Sequence, residues 1–257
     1  MTGLSSLGSQ QVRIPKAAAV VAGNMRRGIV RGRYAPGDAL PNESELMELY
    51  GVSRPVVREA LRILESESLI EIKRGARGGA RFTLPDIGVA ARHSALQLQL
   101  AGTTLADLFE ARAMIEPAAV RRLAVRRDPE SIQQLRAGHE QERSVVDDPL
   151  IQAEQAAGFH ALLVEVAGNK TLAVLNRLLL QIVERHNRLA RERLPPADAA
   201  AVGHGADECH GTTIDLIEDG DADAAEQLWR EHLDAIAKAS LERLGRTTIV
   251  DLLDGES

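Results

Sequence analysis

Between Asn42 and Glu67 the chain reads NESELMELYGVSRPVVREALRILESE, which accommodates one local structure: two short helices joined across a tight turn. Asn42 is a preferred N-cap and Glu45, three residues on, completes a capping box, so a helix starts there. Leu46 and Leu49 form its apolar stripe, Gly51 supplies the left-handed residue that stops it, and Val52 plugs the turn. Ser53 is placed to cap a second helix, in whose first turn Pro55 is tolerated because no backbone donor is needed. Val57, Ala60, Leu61 and Leu64 recur at helical spacing as the buried face. Arg54, Arg58 and Arg62 succeed one another at four-residue intervals, on a side that could reach base edges and phosphates in a major groove. The competing reading of these arginines is a solvated face paired with Glu59, Glu65 and Glu67.

The segment just C-terminal to the two helices favours a nucleic-acid face. Leu69, Ile70 and Ile72 lead into KRGARGGARF, Lys73 to Phe82, which reads as a strand, a glycine-rich tip and a returning strand. Lys73, Arg74, Arg77 and Arg81 interleaved with Gly75, Gly78 and Gly79 let backbone and guanidinium groups lie close to phosphates. Two helices and such a hairpin after them make a winged helix-turn-helix.

These residues resemble the GntR family of bacterial transcription regulators over roughly residues 15–82, through "APGDALP", "ELYGVSRPVVREALRILE" and "LIEIKRG". The resemblance implies DNA contacts at Ser44, Ser53, Arg54 and Arg58, with the wing tip at Arg74 and Gly75 entering a minor groove. Two positions depart from the family pattern. Ser44 replaces a frequent arginine, which weakens one contact, and Ser68 stands where glycine usually ends the recognition helix. Ser68 is therefore expected either to adopt a strained turn or to lengthen the helix.

Charge divides along the same boundary. Residues 1–82 carry 13 Lys and Arg against 8 Asp and Glu, net +5, whereas residues 83–257 carry 18 against 29, net -11. An acidic remainder is repelled by phosphate, which leaves DNA to the N-terminal part. The 257 residues suffice for two domains. No apolar run approaches the roughly 20 residues that cross a bilayer, and MTGLSSLGSQQ lacks the features of a signal peptide, so a cytoplasmic protein without membrane contact is expected. Cys209 is the only cysteine and reads as an inert buried thiol.

Residues 1–12 read as a disordered lead, 13–82 as the winged helix-turn-helix, 83–91 as a linker, 92–245 as an all-helical domain and 246–257 as a tail. The fold class expected is mainly α: a small α+β unit followed by a helical bundle. In the second domain Leu105, Leu108, Phe109 and Ile115 mark one helix, Ile132 and Leu135 another, and Phe159, Leu162, Leu163 and Val166 a third. Leu172 to Leu189 comes next as a strongly periodic helix, Pro195 and Pro196 break the pattern, and helices over about 206–218 and 222–244 complete the set. With three Phe, two Tyr and one Trp, the core must be built from aliphatic residues.

His160, His210 and His232 lie on different helices of that bundle and could converge on one interior point. Neutral imidazoles are good ligands for zinc or a similar divalent ion, and three of them leave a position open. The plainer reading is that histidines are satisfied core or surface groups, and His93, His139, His186 and His204 are given it.

The stretches "DLFEARAMIEPAAVRRLA", "FHALLVEVAGNKTL" and "CHGTTIDLIEDGDADAAEQLWREHL" resemble the FCD ligand-binding domain of the FadR subfamily of GntR regulators. The resemblance implies a divalent metal held by His160, His210 and His232, together with an acidic ligand one helical turn before the first histidine. Ala156 occupies that place, and Glu154, six residues before His160, points elsewhere on the helix. It also implies a small organic acid or acyl effector, for which Arg112 is the candidate carboxylate fork, with a structural ion pair to Glu116 as the alternative. The expected molecule is a homodimeric, effector-controlled regulator, a repressor, on palindromic operator DNA. A hydrolytic enzyme using the three histidines, and a sequence-indifferent architectural DNA binder, are the readings from other classes.

Overall fold

The computed structural model describes residues 13–73, 78–192 and 194–245. The wing tip with Arg74, Gly75 and Arg77, the 1–12 lead and the 246–257 tail lie outside them. The chain divides into two compact units, Met1–Val89 and Ala90–Ser257.

The first unit contains α1 (Arg13–Val30), α2 (Glu43–Tyr50), α3 (Arg54–Ser66) and an antiparallel hairpin of β1 (Ile70–Lys73) and β2 (Gly79–Phe82). Its core is mostly aliphatic: Val21, Met25 and Ile29 of α1, Leu46 of α2, Val57, Ala60, Leu61 and Leu64 of α3, with Ile70 and the aromatic Phe82 of the hairpin. The capping box is present, Asn42 Oδ1 accepting from the Ser44 and Glu45 amides while Glu45 accepts from the Asn42 amide. Gly51 is left-handed at φ 62° and ends α2. Ser53 has the extended backbone of an N-cap but its hydroxyl makes no capping bond. Two donors that would reach it are missing: Pro55 has no N–H, and the Val56 amide bonds to the Ser53 carbonyl at 3.0 Å.

At the other end of α3, Ser68 adopts φ 56°, the strained turn expected where glycine is replaced. The Leu69 amide returns to the Leu64 carbonyl at 3.0 Å, and the Ser68 carbonyl accepts from Thr83 Oγ1, also at 3.0 Å. Arg26 Nε donates to Glu67 at 2.8 Å and ties α1 to the same corner.

The second unit is helical: α4 (Ile87–Leu100), α5 (Leu105–Arg126), α6 (Pro129–Arg143), α7 (Pro149–Val166), α8 (Lys170–Glu192), α9 (Pro196–Asp219) and α10 (Ala222–Leu244). Helix α4 begins inside the stretch expected to be a linker, and its Ala95 and Leu98 pack against Leu105 and Leu108. Helix α9 starts at Pro196, ten residues before the expected boundary, because a proline at a helix start sacrifices no intrahelical bond. Pro117 lies inside α5 and cannot bond the Ala113 carbonyl; Arg230 of α10 donates to that carbonyl at 3.4 Å. The principal core joins Val120 and Leu123 of α5, Leu135 of α6, Phe159 and Leu163 of α7, Ile214 and Ile217 of α9, and Trp229 and Leu233 of α10.

Relief of the left-handed strain at residue 68 should stabilise the first unit. Ser68→Gly is expected to raise its unfolding free energy by about 0.5 to 1 kcal/mol, measured as a shift in urea midpoint at unchanged slope.

Candidate functional site

Two groups of predicted residues are brought together, one in each unit. In the first, Arg54 and Arg58 project from α3 with side chains 60% and 63% exposed. Both stand beside Glu43, the first residue of α2, with nitrogen-to-oxygen separations of 3.6 and 3.9 Å. Arg62 instead pairs with Glu59 at 3.6 Å. Ser44 and Ser53 are exposed at the starts of α2 and α3. This face is polar and cationic, held by two capped or proline-started helices that bury Leu46 of α2 and Val57, Ala60, Leu61 and Leu64 of α3, whereas Leu49, expected in the α2 stripe, is exposed.

In the second unit His160 of α7, His210 of α9 and His232 of α10 converge. Nε2 of His232 lies 3.1 Å from Nε2 of His210 and 3.3 Å from Nε2 of His160. Each of the first two rings is oriented by a carboxylate behind it. His160 Nδ1 donates to Glu116 Oε2 at 2.6 Å, and His210 Nδ1 donates to Glu142 Oε2 at 2.7 Å. An ionised carboxylate only accepts, so both rings carry the proton on Nδ1 and direct a lone pair from Nε2 toward His232. One proton on His232 cannot satisfy both contacts, whereas a cation between the rings satisfies all three. The donor set therefore fits a divalent metal: three imidazoles, two with carboxylates oriented behind them.

Both carboxylates are buried and fully engaged. Glu116 also accepts from Arg112 Nε at 2.8 Å and from Trp229 Nε1 at 3.1 Å, and Glu142 accepts from Gln152 Nε2 at 2.8 Å. Burial would push the Glu116 carboxyl up, but the Arg112 guanidinium and the His160 ring beside it hold it well below the usual carboxylate range. Burial lowers His160 to about 4, against the opposing pull of Glu116. His232 is likewise lowered, first by burial and then by the neighbouring rings. Those two rings are therefore neutral near pH 7, the form that ligates metal.

Two of the three histidines, His160 and His232, line a partly open cavity of about 450 Å³ bordered by α5, α7, α8, α9 and α10. Arg112, His160 and His232 reach it, as do Ala153, Ala156 and Ala157 of α7. Ala156 lies one turn before His160 and leaves open the space an acidic side chain would fill; Glu154 is exposed on another face of α7. Glu184, Asn187 and Ser240 add polar groups to the wall, with Ser240 Oγ donating to Asn187 at 2.9 Å. Arg112 makes the ion pair with Glu116 that was its structural alternative, and it also lines the cavity.

Sequence reasoning missed Glu142, Gln152 and Trp229. Trp229 carried a signal, being the sole tryptophan and one turn before His232. Glu142 and Gln152 carried none, since nothing along the chain tells a buried glutamate from a solvated one. Among the other histidines, His139 faces Asp207 at 2.8 Å, His186 bonds back to the Ile182 carbonyl, and His93 and His204 are exposed. The Cys209 thiol is pushed up by burial to about 11, which leaves it unreactive at neutral pH.

Acid should destabilise the metal-free protein. An unfolded histidine takes up a proton near pH 6.5, whereas folded His160 resists until about 4, so the unfolded state binds more protons in between and stability falls over that window. Urea midpoints of chelator-treated protein should decline from about pH 6.5 downward, and a flat profile would contradict the neutral buried rings. At neutral pH, Glu116→Ala leaves the Arg112 charge buried without its partner and should cost about 3 to 5 kcal/mol in the same measurement.

No helix among the described residues is long and apolar enough to cross a membrane. Residues 17–78 match the model for bacterial regulatory proteins of the gntR family, and residues 107–235, just over half of the chain, match the FCD domain model. The chain is 26% identical over 234 residues to the HTH-type transcriptional repressor NanR of Cronobacter sakazakii, covering 90% of this chain and 88% of that one. It is 27% identical over 255 residues to the protein of the same name from Salmonella typhimurium, covering 94% and 92%. Among solved structures, Streptococcus agalactiae GntR superposes with a TM-score of 0.67 at 22% identity, over 86% of this chain and 99% of that one, which shows a shared fold. These likenesses are to transcription regulators and not to hydrolases. The chain belongs to the GntR family of bacterial regulators, with a winged helix-turn-helix followed by an FCD domain, and is a DNA-binding transcription regulator, not an enzyme.

Proposed function

We propose that the protein is a repressor, acting in the cytoplasm as a homodimer on a palindromic operator, whose DNA binding is set by a small organic acid or acyl compound in the FCD domain. The observation that carries the effector reading is the convergence of three histidine side chains, two of which, His160 and His232, line a 450 Å³ cavity together with Arg112. The repressor reading is supported by the names of the relatives.

Arg54 and Arg58 read base edges from α3, Ser44 and Ser53 contact the backbone at the two helix starts, and Arg74 and Gly75 form the wing contact. The exposure of the first four and the cationic character of the face support these roles. A dimer fits DNA because half-sites repeat with the helical turn, so a small change in the separation of two recognition helices loses half the contacts.

His160, His210 and His232 would hold one divalent ion, zinc or similar, and when bound it would supply a Lewis-acidic site for an anionic group of the effector. Arg112 adds a donor fork at the same end, and the space beside Ala156 leaves the effector carboxylate room where an acidic ligand would otherwise stand. For such a ligand to control DNA binding it must bind one dimer arrangement better than the other.

Elemental analysis should find about one equivalent of divalent metal in the wild type and almost none in His210→Ala, as the three-ligand site requires. Absence of metal from carefully prepared wild type would remove the metal part of the proposal. On operator DNA, Arg54→Ala and Arg58→Ala should each weaken binding by about 1 to 3 kcal/mol while leaving effector binding intact. Wild-type affinity in both would remove the base-reading assignment.

A further inference from the structure

Glu43 is the first residue of α2, and its carboxylate spans the two arginines that α3 presents. Oε2 is 3.6 Å from Nε of Arg54, and Oε1 is 3.9 Å from Nε of Arg58. Its place is fixed from both sides. Asn42 and Glu45 close the capping box around it, and Leu46, three residues on, is buried in the core. Both arginines are more than half exposed, so these pairs contribute little to folding. Their consequence falls on how the arginines meet DNA.

An unrestrained arginine samples many rotamers and can pair with any phosphate it encounters. One that leans on a carboxylate through its Nε edge has fewer conformations to lose on binding, while its two terminal nitrogens stay uncommitted for a guanine edge or another acceptor. Glu43 also carries a negative charge at the rim of the reading face. That charge opposes phosphate irrespective of sequence, a repulsive element that a correct set of base contacts can outweigh and a random duplex cannot.

We infer that Glu43 is a specificity-determining residue of the DNA face: it holds Arg54 and Arg58 in a base-reading posture and disfavours binding through phosphate alone. This rests on the reading of those two arginines as base contacts.

The test uses the full chain. Duplexes enriched by wild type from a random-sequence pool are compared with scrambled duplexes, over a salt series, for wild type, Glu43→Gln and Glu43→Asp. Glu43→Gln should bind scrambled DNA more tightly and reduce the ratio of enriched to scrambled affinity about tenfold, the scale of one base contact. Its salt slope on scrambled DNA should steepen by about one counterion. Glu43→Asp keeps the charge but shortens the reach, so it should keep weak binding to scrambled DNA and lose affinity for the enriched duplex. Thermal melting should be unchanged in both. A Gln variant with the wild-type ratio and slope overturns the inference about Glu43 alone. Enrichment of no sequence by wild type overturns the sequence-specific regulator reading, and this one with it.

Discussion

Glu116 is a fully buried carboxylate on which donors from three helices converge: Arg112 from its own helix α5, His160 from α7 and Trp229 from α10. An ionised carboxylate removed from water is tolerated only when its lone pairs are satisfied and a positive charge stands beside it. Satisfying Glu116 therefore positions α5, α7 and α10 relative to one another, and in the same act orients the His160 ring. Glu142 does the same for His210 on α9, anchored by Gln152 of α7. The polar centre of the FCD unit is thus an organising feature of the bundle as well as a site.

That arrangement accounts for the chemistry the cavity can perform. Two rings are locked with Nδ1 donating backward, so the Nε2 nitrogens that could ligate a metal face His232 without any choice of tautomer. Burial keeps His160 and His232 neutral near pH 7. The aliphatic lining around Ala153, Ala156 and Ala157 keeps the local dielectric low, which strengthens whatever charge attraction a ligand makes with Arg112. The arginine face of the first unit obeys the opposite rule. Its charges are exposed, with Arg54 and Arg58 standing 3.6 and 3.9 Å from Glu43 and open to solvent.

Much of this was legible along the chain. The capping box at Asn42 and the left-handed Gly51 were readable because each depends on neighbours within a few residues, whereas the strained turn at Ser68 was one of two outcomes implied by the family pattern. The three histidines were readable only with the help of family resemblance, because scattered imidazoles have no local signature. Ser53 shows the limit of even a local rule: a good capping residue loses its bond when the residue two places on is proline. The early starts of α4 and α9 were obscured by Pro, Gly and Ala, which blur hydrophobic periodicity.

Sequence alone determined the class of fold and the identity of the DNA-reading segment, because hydrophobic period, caps and turn residues are short-range constraints written in consecutive residues. Tertiary structure decided which charged residues are buried. It selected Glu116 and Glu142 from 37 acidic residues to orient two histidines, gave Arg112 both an ion pair and a cavity edge, and set Glu43 between two arginines of the next helix. The buried pairings among these join residues up to 68 positions apart, and their strength depends on exclusion of water, a property of the packed interior that no local pattern encodes.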